Sequence, residues 1–332
     1  MSARPTMHDV ARLAGVSVTT VSRAVNNHSY VRTATRDRVN AAIAELGFQR
    51  NEIARTLRGS ATGTIALVIE DVANPFYSGI ARGVDEVAQD RRHALIIGNT
   101  RHSFERESDL MSELVRRQVD GLLVVPTAGD HSRLHADLGR WVPIVFIDRV
   151  PAGVSADCVV LDNRGGAARA VDHLVAAGHT RIAYIGGDPK VYTGKNRLAG
   201  YRQALKRHGL PYDRSLVHHG RHTVETAQAA VTEMIQRPDA PTAIFADNNR
   251  MTIGALQAIS SCGGGVEVAG FDGLELADLL SPRVALVTYR PDELGRTAAE
   301  LLFERIGGDD SPPRKVILKT ELSVRGGASF AT

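Results

Sequence analysis

The stretch DVARLAGVSVTTVSRAVN, residues 9–26, carries side chains suited to reading a nucleic acid inside what otherwise patterns as helix. Its outward positions are Ser17, Val18, Thr19, Thr20, Ser22, Arg23 and Asn26. None is acidic, and several are β-branched or hydroxylated types that lower helix propensity. In a major groove a guanidinium fits the guanine edge, and valine or threonine methyls meet the thymine methyl. Hydroxyls and the Asn26 amide suit phosphate contacts that fix the register. A second set recurs at the ends of apolar runs: Asp71 with Asn74, Phe76 and Tyr77, then Asp148–Arg149, and Thr193 with Arg197. It continues with Asn248–Asn249, Asp272 and Tyr289–Arg290. Carboxylates, amides and guanidiniums with one or two rings suit a polyhydroxylated or heterocyclic ligand. Each alone would read as a loop or helix cap; their recurrence points to a cleft.

The elements that must hold the first set are short helices. Thr6 is placed to cap one helix, with Asp9 three residues on, and Val10, Leu13 and Ala14 supply its inward stripe. Gly15 ends it, Ser17 caps the next, and Val21, Ala24 and Val25 face back. Two helices joined by a glycine-containing turn make a helix-turn-helix. A third follows Thr33 or Thr35, with Val39, Ala42, Ile43 and Leu46 at helical spacing and Gly47 as its stop. The segment NEIARTLRGS, residues 51–60, reads as a further short helix with a small apolar face of Ile53, Ala54 and Leu57. Alone it is too short to persist in water.

After Gly63 the pattern becomes strand–helix repetition: TIALVIE, HALIIGN, GLLVVP and PIVFIDR, then DCVVLDN, RIAYIGG, TAIFAD, VEVAGFDG and VALVTYR. Such repetition means parallel sheets covered on both faces, and two series imply two lobes. Ligands of open parallel sheets bind beyond the C-terminal strand ends, where the second set falls.

Charge divides the chain the same way. Residues 1–60 hold nine Arg and four acidic residues, a net of +5, while the remainder nets −2. A basic head on a near-neutral body points to a polyanion bound by the head. No apolar run approaches the ~20 residues of a membrane span. MSARPT leads directly into a patterned helix without the apolar core of a secretory signal, so a cytoplasmic location is expected. Cys158 and Cys262 exclude a disulfide framework. The cluster His218, His219, His222 lacks ligand spacing with either, so it reads as a solvated loop, and no metal or cofactor is expected.

TMHDVARLAGVSVTTVSRAVN resembles the N-terminal signature of the LacI/GalR family of bacterial transcription regulators. The resemblance continues through ELGFQRNEIARTLRGSATGTIALVIEDVANPFY and on to the C-terminus. It implies an α/β chain: a three-helix helix-turn-helix head (residues 1–50), a hinge helix and linker (51–61), and a two-lobed body of doubly wound parallel sheets (62–332). The body would be similar to periplasmic sugar-binding proteins, with lobe one near 62–160 and 291–318 and lobe two near 161–290 and 319–332. By the same resemblance Val18, Thr19 and Arg23 read bases. Leu57 would be a minor-groove wedge on a hinge helix that pairs with a dimer mate, against the plainer reading of a linker helix docked on the body. Arg149, Arg197, Asn248 and Asp272 fall at ligand-contacting positions, with Phe76 as the stacking ring.

Two departures matter. Asn249 stands where the family commonly has Asp, and Tyr289–Arg290 where it commonly has Gln or His. One carboxylate fewer and one guanidinium more lean the cleft toward a phosphate or carboxylate, if Arg290 points inward rather than to solvent.

The leading function is therefore a sequence-specific repressor whose operator affinity is switched by a sugar, sugar derivative or nucleoside. A homodimer would place two helices in successive major grooves of a pseudo-palindromic operator of double-stranded DNA. Ligand and DNA would be linked reciprocally through lobe closure and hinge order. A transport protein would lack the basic head and carry a signal peptide. An enzyme would need a motif, and GGDP (186–189) and CGGG (262–265) match neither phosphate-loop pattern.

Overall fold

The computed structural model describes residues 5–25, 28, 30–48, 62–281 and 283–327. Asn26, Leu57 and the helix expected over 51–60 lie outside the described residues. The chain divides into two compact units, Met1–Thr62 and Gly63–Thr332.

The first unit packs α1 (Met7–Ala14), α2 (Val18–Val25) and α3 (Thr33–Leu46). Thr6 and Asp9 form a reciprocal capping box, and Gly15 closes α1 at φ 64°, a left-handed value glycine adopts without strain. Ser17 Oγ accepts from Thr20 N at 3.1 Å and starts α2. Val10, Ala11, Ala14, Val21, Ala24, Val39 and Ala42 form the core, with Val25, Ile43 and Leu46 packed against it. Leu13, expected inside, is 46% exposed and Ala11 takes its place. At about 100° per residue, Val10, Ala14 and Ala11 span one arc of α1, and Leu13 falls outside it.

The second unit begins with β1 (Thr64–Ile69), β2 (Ala94–Asn99), β3 (Gly121–Val124), β4 (Ile144–Ile147) and β5 (Cys158–Leu161). There follow β6 (Ile182–Gly186), β7 (Val217–His219), β8 (Ala243–Ala246), β9 (Glu267–Phe271) and β10 (Val284–Thr288). Last come β11 (Lys315–Leu318) and β12 (Glu321–Arg325). Sheet one runs β11-β5-β4-β3-β1-β2, and sheet two β12-β10-β9-β8-β6-β7. All pairs are parallel except β10–β12. The sequence reading expected parallel sheets and passed over β7, β11 and β12. Only Lys319 and Thr320 carry the chain from β11 of the first sheet to β12 of the second, so β12 enters at the end where β10 leaves and runs against it.

Alternation along β1 sends Ile65, Leu67 and Ile69 to one apolar cluster and Ala66 and Val68 to another, so both sheet faces are covered. In lobe one, helices Pro75–Asp90 and Pro291–Ile306 pack backbone to backbone. A Cβ on Gly83 would stand 1.9 Å from Asp292 O, and one on Gly295 2.1 Å from Ile80 O. That contact fixes the helix whose first turn faces the cleft. The chain passes between the sheets three times: at Asp162, at Tyr289–Arg290 and at Lys319–Thr320.

Candidate functional site: a groove-reading face and an inter-lobe cleft

On the first unit, Ser17, Thr19 and Arg23 are exposed, and Val18, Thr20 and Ser22 are half-buried along the same helix. Ser17 and Thr20 are already engaged with each other, Oγ to Oγ1 at 2.8 Å, as part of the cap. Arg23 extends from the last turn of α2, on the side away from buried Val21 and Ala24.

In the second unit Asp71, Asn74, Phe76 and Arg149 come from lobe one and Thr193, Arg197, Asn248 and Asp272 from lobe two, and all eight line one cleft. They share it with Glu70, Tyr77, His102, Asp148, His222, Asn249 and Arg250. The cleft has a cavity volume of about 40 Å³. Asn74, Thr193 and Asn248 arrive by one device, in which a strand ends and the next helix begins toward the gap, while Asp148–Arg149 and Asp272 follow directly on β4 and β9. Asn74 caps Pro75–Asp90 and Asn248 caps Asn249–Ser261, each through its side-chain oxygen.

Lobe one contributes a closed cluster. Glu70 Oε2 accepts from Tyr77 Oη at 2.6 Å and from Arg149 Nη2 at 2.8 Å, and Arg149 Nη1 donates to Glu70 Oε1 and to Pro126 O. Burial would raise the Glu70 carboxyl, but Arg149, with His102, overrides it and holds the group well below its usual range. Burial, and then Glu70, push the Tyr77 phenol well up. Asp148 stands beside this cluster at 2% exposure, with no hydrogen-bond partner for Oδ1 among the described residues. Burial raises its carboxyl to about 6. Asp148 and Asp272, ending the strands on either side, hold φ of 67° and 76°. Left-handed backbone at a non-glycine residue is uncommon, and it gathers at functional sites.

Lobe two offers its groups differently. Arg197 Nε donates to Asn163 Oδ1 at 2.7 Å and Nη1 to Asp247 O, while its guanidinium lies 3.7 Å over the Phe271 ring. Its Nη2 is 3.8 Å from Asp272 Oδ1 and donates no hydrogen bond among the described residues. Tyr289 turns inward and donates to Asp272 Oδ1, its phenol pushed well up by burial and then by Asp272.

Arg290 does not join them. Its side chain is 70% exposed, pairs with Asp292, and lines a separate hollow with Leu161, Glu293 and Lys319. It sits at the start of helix Pro291–Ile306, where the acidic first turn draws it outward, while the neighbouring Tyr289 turns toward Asp272. The cationic lean expected from the sequence therefore lapses: four carboxylates (Glu70, Asp71, Asp148, Asp272) meet three guanidiniums (Arg149, Arg197, Arg250). The histidines also differ from expectation. His218 and His219 lie on β7, and His222 reaches the cleft with Nε2 3.4 Å from Asp247 Oδ1. Nothing nearby in sequence marks His222, because Asp247 belongs to another strand. Among the described residues no group of three or more His, Cys, Asp or Glu could hold a metal. The Gly187 amide in GGDP is taken by Asp247 Oδ2 at 3.0 Å.

The model for bacterial regulatory proteins of the lacI family matches residues 6–51, and that for the periplasmic binding protein-like domain matches 171–327. The chain is 36% identical to the HTH-type transcriptional regulator CelR of Thermobifida fusca over 334 residues, covering 97% of this chain and 98% of that protein. The chain belongs to the LacI family. This LacI-family regulator is also 33% identical to GalR of Salmonella typhimurium, covering 98% and 97% of the two chains. Among solved structures it matches a CelR–cellobiose complex at 35% identity and TM-score 0.73, covering 97% and 99%. It also matches the lac repressor dimer bound to operator and the anti-inducer ONPF at 26% identity and TM-score 0.86, covering 96% and 98%. It is thus a helix-turn-helix transcriptional regulator with a two-sheet body. No helix among the described residues is long and apolar enough to cross a membrane.

Proposed function

We propose that this regulator is a cytoplasmic, dimeric repressor whose hold on a pseudo-palindromic operator is switched by a neutral, polyhydroxylated effector taken between the lobes. Arg23 reads a guanine, Val18 and Thr19 meet thymine methyls, and Ser17, Thr20, Ser22 and Asn26 set the register on phosphates. Leu57 acts as the minor-groove wedge. The reading divides the chain at residues 1–50, 51–61 and 62–332 into head, hinge and body. In the cleft Arg197, Asp272 and Asn248 bond hydroxyls, Asp148 accepts with its unpartnered oxygen, and Phe76 packs on the ring. Asp71, Asn74 and Thr193 border them. The site binds without making or breaking bonds.

The observation that carries this reading is the balance of charge in the cleft. Four carboxylates against three guanidiniums leave no cationic excess, which favours hydroxyls over a phosphate. Relatives point the same way, since one is the ribose operon repressor of Escherichia coli and one structure holds cellobiose. A thermal-shift screen of neutral sugars, polyols, nucleosides, sugar phosphates and sugar acids tests it. At ~100 times its dissociation constant a ligand adds about 2.7 kcal/mol, which moves the midpoint by several degrees. Stabilisation by a neutral sugar is expected; stabilisation by sugar phosphates alone would overturn the reading.

A further inference from the structure

Two consecutive residues tie the lobes together across the cleft. Asn249 and Arg250 open helix Asn249–Ser261 in lobe two. Asn249 Nδ2 donates to Asn74 Oδ1 of lobe one at 2.8 Å, and Arg250 Nη2 pairs with Asp71 of lobe one. Asn74 Oδ1 already accepts from Phe76 N at 3.1 Å, so the bond joins the cap of one lobe's helix to the first residue of the other's. The amide orientation at 249 follows from its neighbours, because Asn249 Oδ1 accepts from Arg250 N at 2.8 Å. Nδ2 must then face Asn74. A carboxylate at 249 would have no proton to offer there, only a second set of lone pairs.

The two helix N-termini that meet here both carry partial positive charge, and separation is their default. Asp71 stands beside one end, accepting from Ala73 N just before the Asn74 cap at 3.0 Å, and Asp272 offsets the other through Asn249 N at 3.2 Å. The tie is thus made of one amide–amide hydrogen bond and the Arg250–Asp71 ion pair, with Asp272 as a further neutralising carboxylate. Both partners of the ion pair are about one-third exposed, which leaves it reversible.

We propose that Asn249 and Arg250 are specificity-determining residues that latch the lobes at a set width and so limit the size of effector admitted. The inference rests on the reading of the cleft as the effector site. With a cavity of about 40 Å³, a ligand enters by parting the lobes against these two bonds. A single ring needs a small parting. A two-ring sugar reaches the latch residues themselves, because all four line the cleft.

The test uses full-length protein without ligand, carrying Cys262→Ser and spin labels on Glu105→Cys and Glu225→Cys, exposed helical positions in lobes one and two. Pulsed dipolar spectroscopy reads the distance between the labels. Diluted with excess unlabelled chain so that a dimer carries at most one labelled protomer, the parent should give one short, narrow distribution. Asn249→Asp and Arg250→Ala should each raise the open population about tenfold, seen as a longer and broader distribution, with the melting midpoint little changed. Arg250→Lys, which keeps a cation opposite Asp71, should restore most of the parent distribution. Distributions from Asn249→Asp and Arg250→Ala that superimpose on the parent overturn the latch. In the sugar screen the two variants should extend stabilisation toward two-ring sugars such as cellobiose; an unchanged set overturns the link from width to selectivity. A latch seen by distance without any stabilising sugar would instead count against the neutral-sugar reading.

Discussion

Arg149 donates to Glu70 through both terminal nitrogens, and with Pro126 O and Tyr77 Oη as further partners that guanidinium belongs to the fold of lobe one. Arg197, equally buried, keeps Nη2 toward Asp272 and the cleft. Arg149→Met should therefore strand a buried carboxylate and cost about 3–5 kcal/mol in urea unfolding. Arg197→Lys should keep the fold and abolish the effector-dependent change in operator affinity. The opposite pattern would exchange their roles.

Asp148 makes a pH prediction. Its carboxyl stands at about 6 in the folded protein against an ordinary 3.8, because burial disfavours the charge. Between those values the folded state binds more protons than the unfolded, so this group lowers stability as pH rises through that window. The penalty is complete above about pH 6 and absent below about pH 4. Asp148→Asn keeps a side chain that tolerates φ of 67° and should remove that slope relative to the parent. It should also stabilise at pH 7 by roughly 3 kcal/mol, at about 1.4 kcal/mol per pKa unit, while weakening effector binding. Melting midpoints of both proteins across pH 4–7 check it.

Arg290→Ala should be silent in effector dose response, since its guanidinium is exposed and paired with Asp292 away from the cleft. A rightward shift of the response to any stabilising sugar would bring Arg290 back into the site.

On α2 the cap and the reader separate. Ser17→Ala removes the acceptor for Thr20 N and should lower stability by about 1 kcal/mol with base preference intact. Arg23→Ala should leave stability unchanged and lose about 1–3 kcal/mol of discrimination at one base pair. A binding selection on randomised duplexes together with melting of each variant distinguishes them.

What the sequence made legible was local chemistry. Thr6 with Asp9, Gly15 and Gly47 mark helix ends because their partners lie within four residues. The strand ends were legible because polar residues interrupt apolar runs. Arg149 and Arg197 could not be told apart, since Glu70 lies 79 residues from the first and Asp272 75 from the second. Tyr289 and Arg290 are adjacent, and which one turns inward depends on Asp272 and Asp292 competing from opposite sides. The direction of β12 depends on where β11 ends in the other lobe, which no local pattern reports.

The placement of β11 bears on how the body is made on the ribosome. Sheet one starts at Thr64, yet β5 gains its outer neighbour only when Lys315–Leu318 arrives, and helix Pro75–Asp90 gains its partner only with Pro291–Ile306. At about 5–20 residues per second the nascent chain therefore waits on the order of ten seconds or more with an unpaired strand edge and a bare glycine-lined helix face. Sheet two lies almost wholly within that interval, from Ile182 to Thr288, and has all but its last strand first. The lobe begun earlier is finished later, so a chain broken off before Pro291 would present a nearly whole lobe two attached to an incomplete lobe one, the form most exposed to aggregation and to proteolysis.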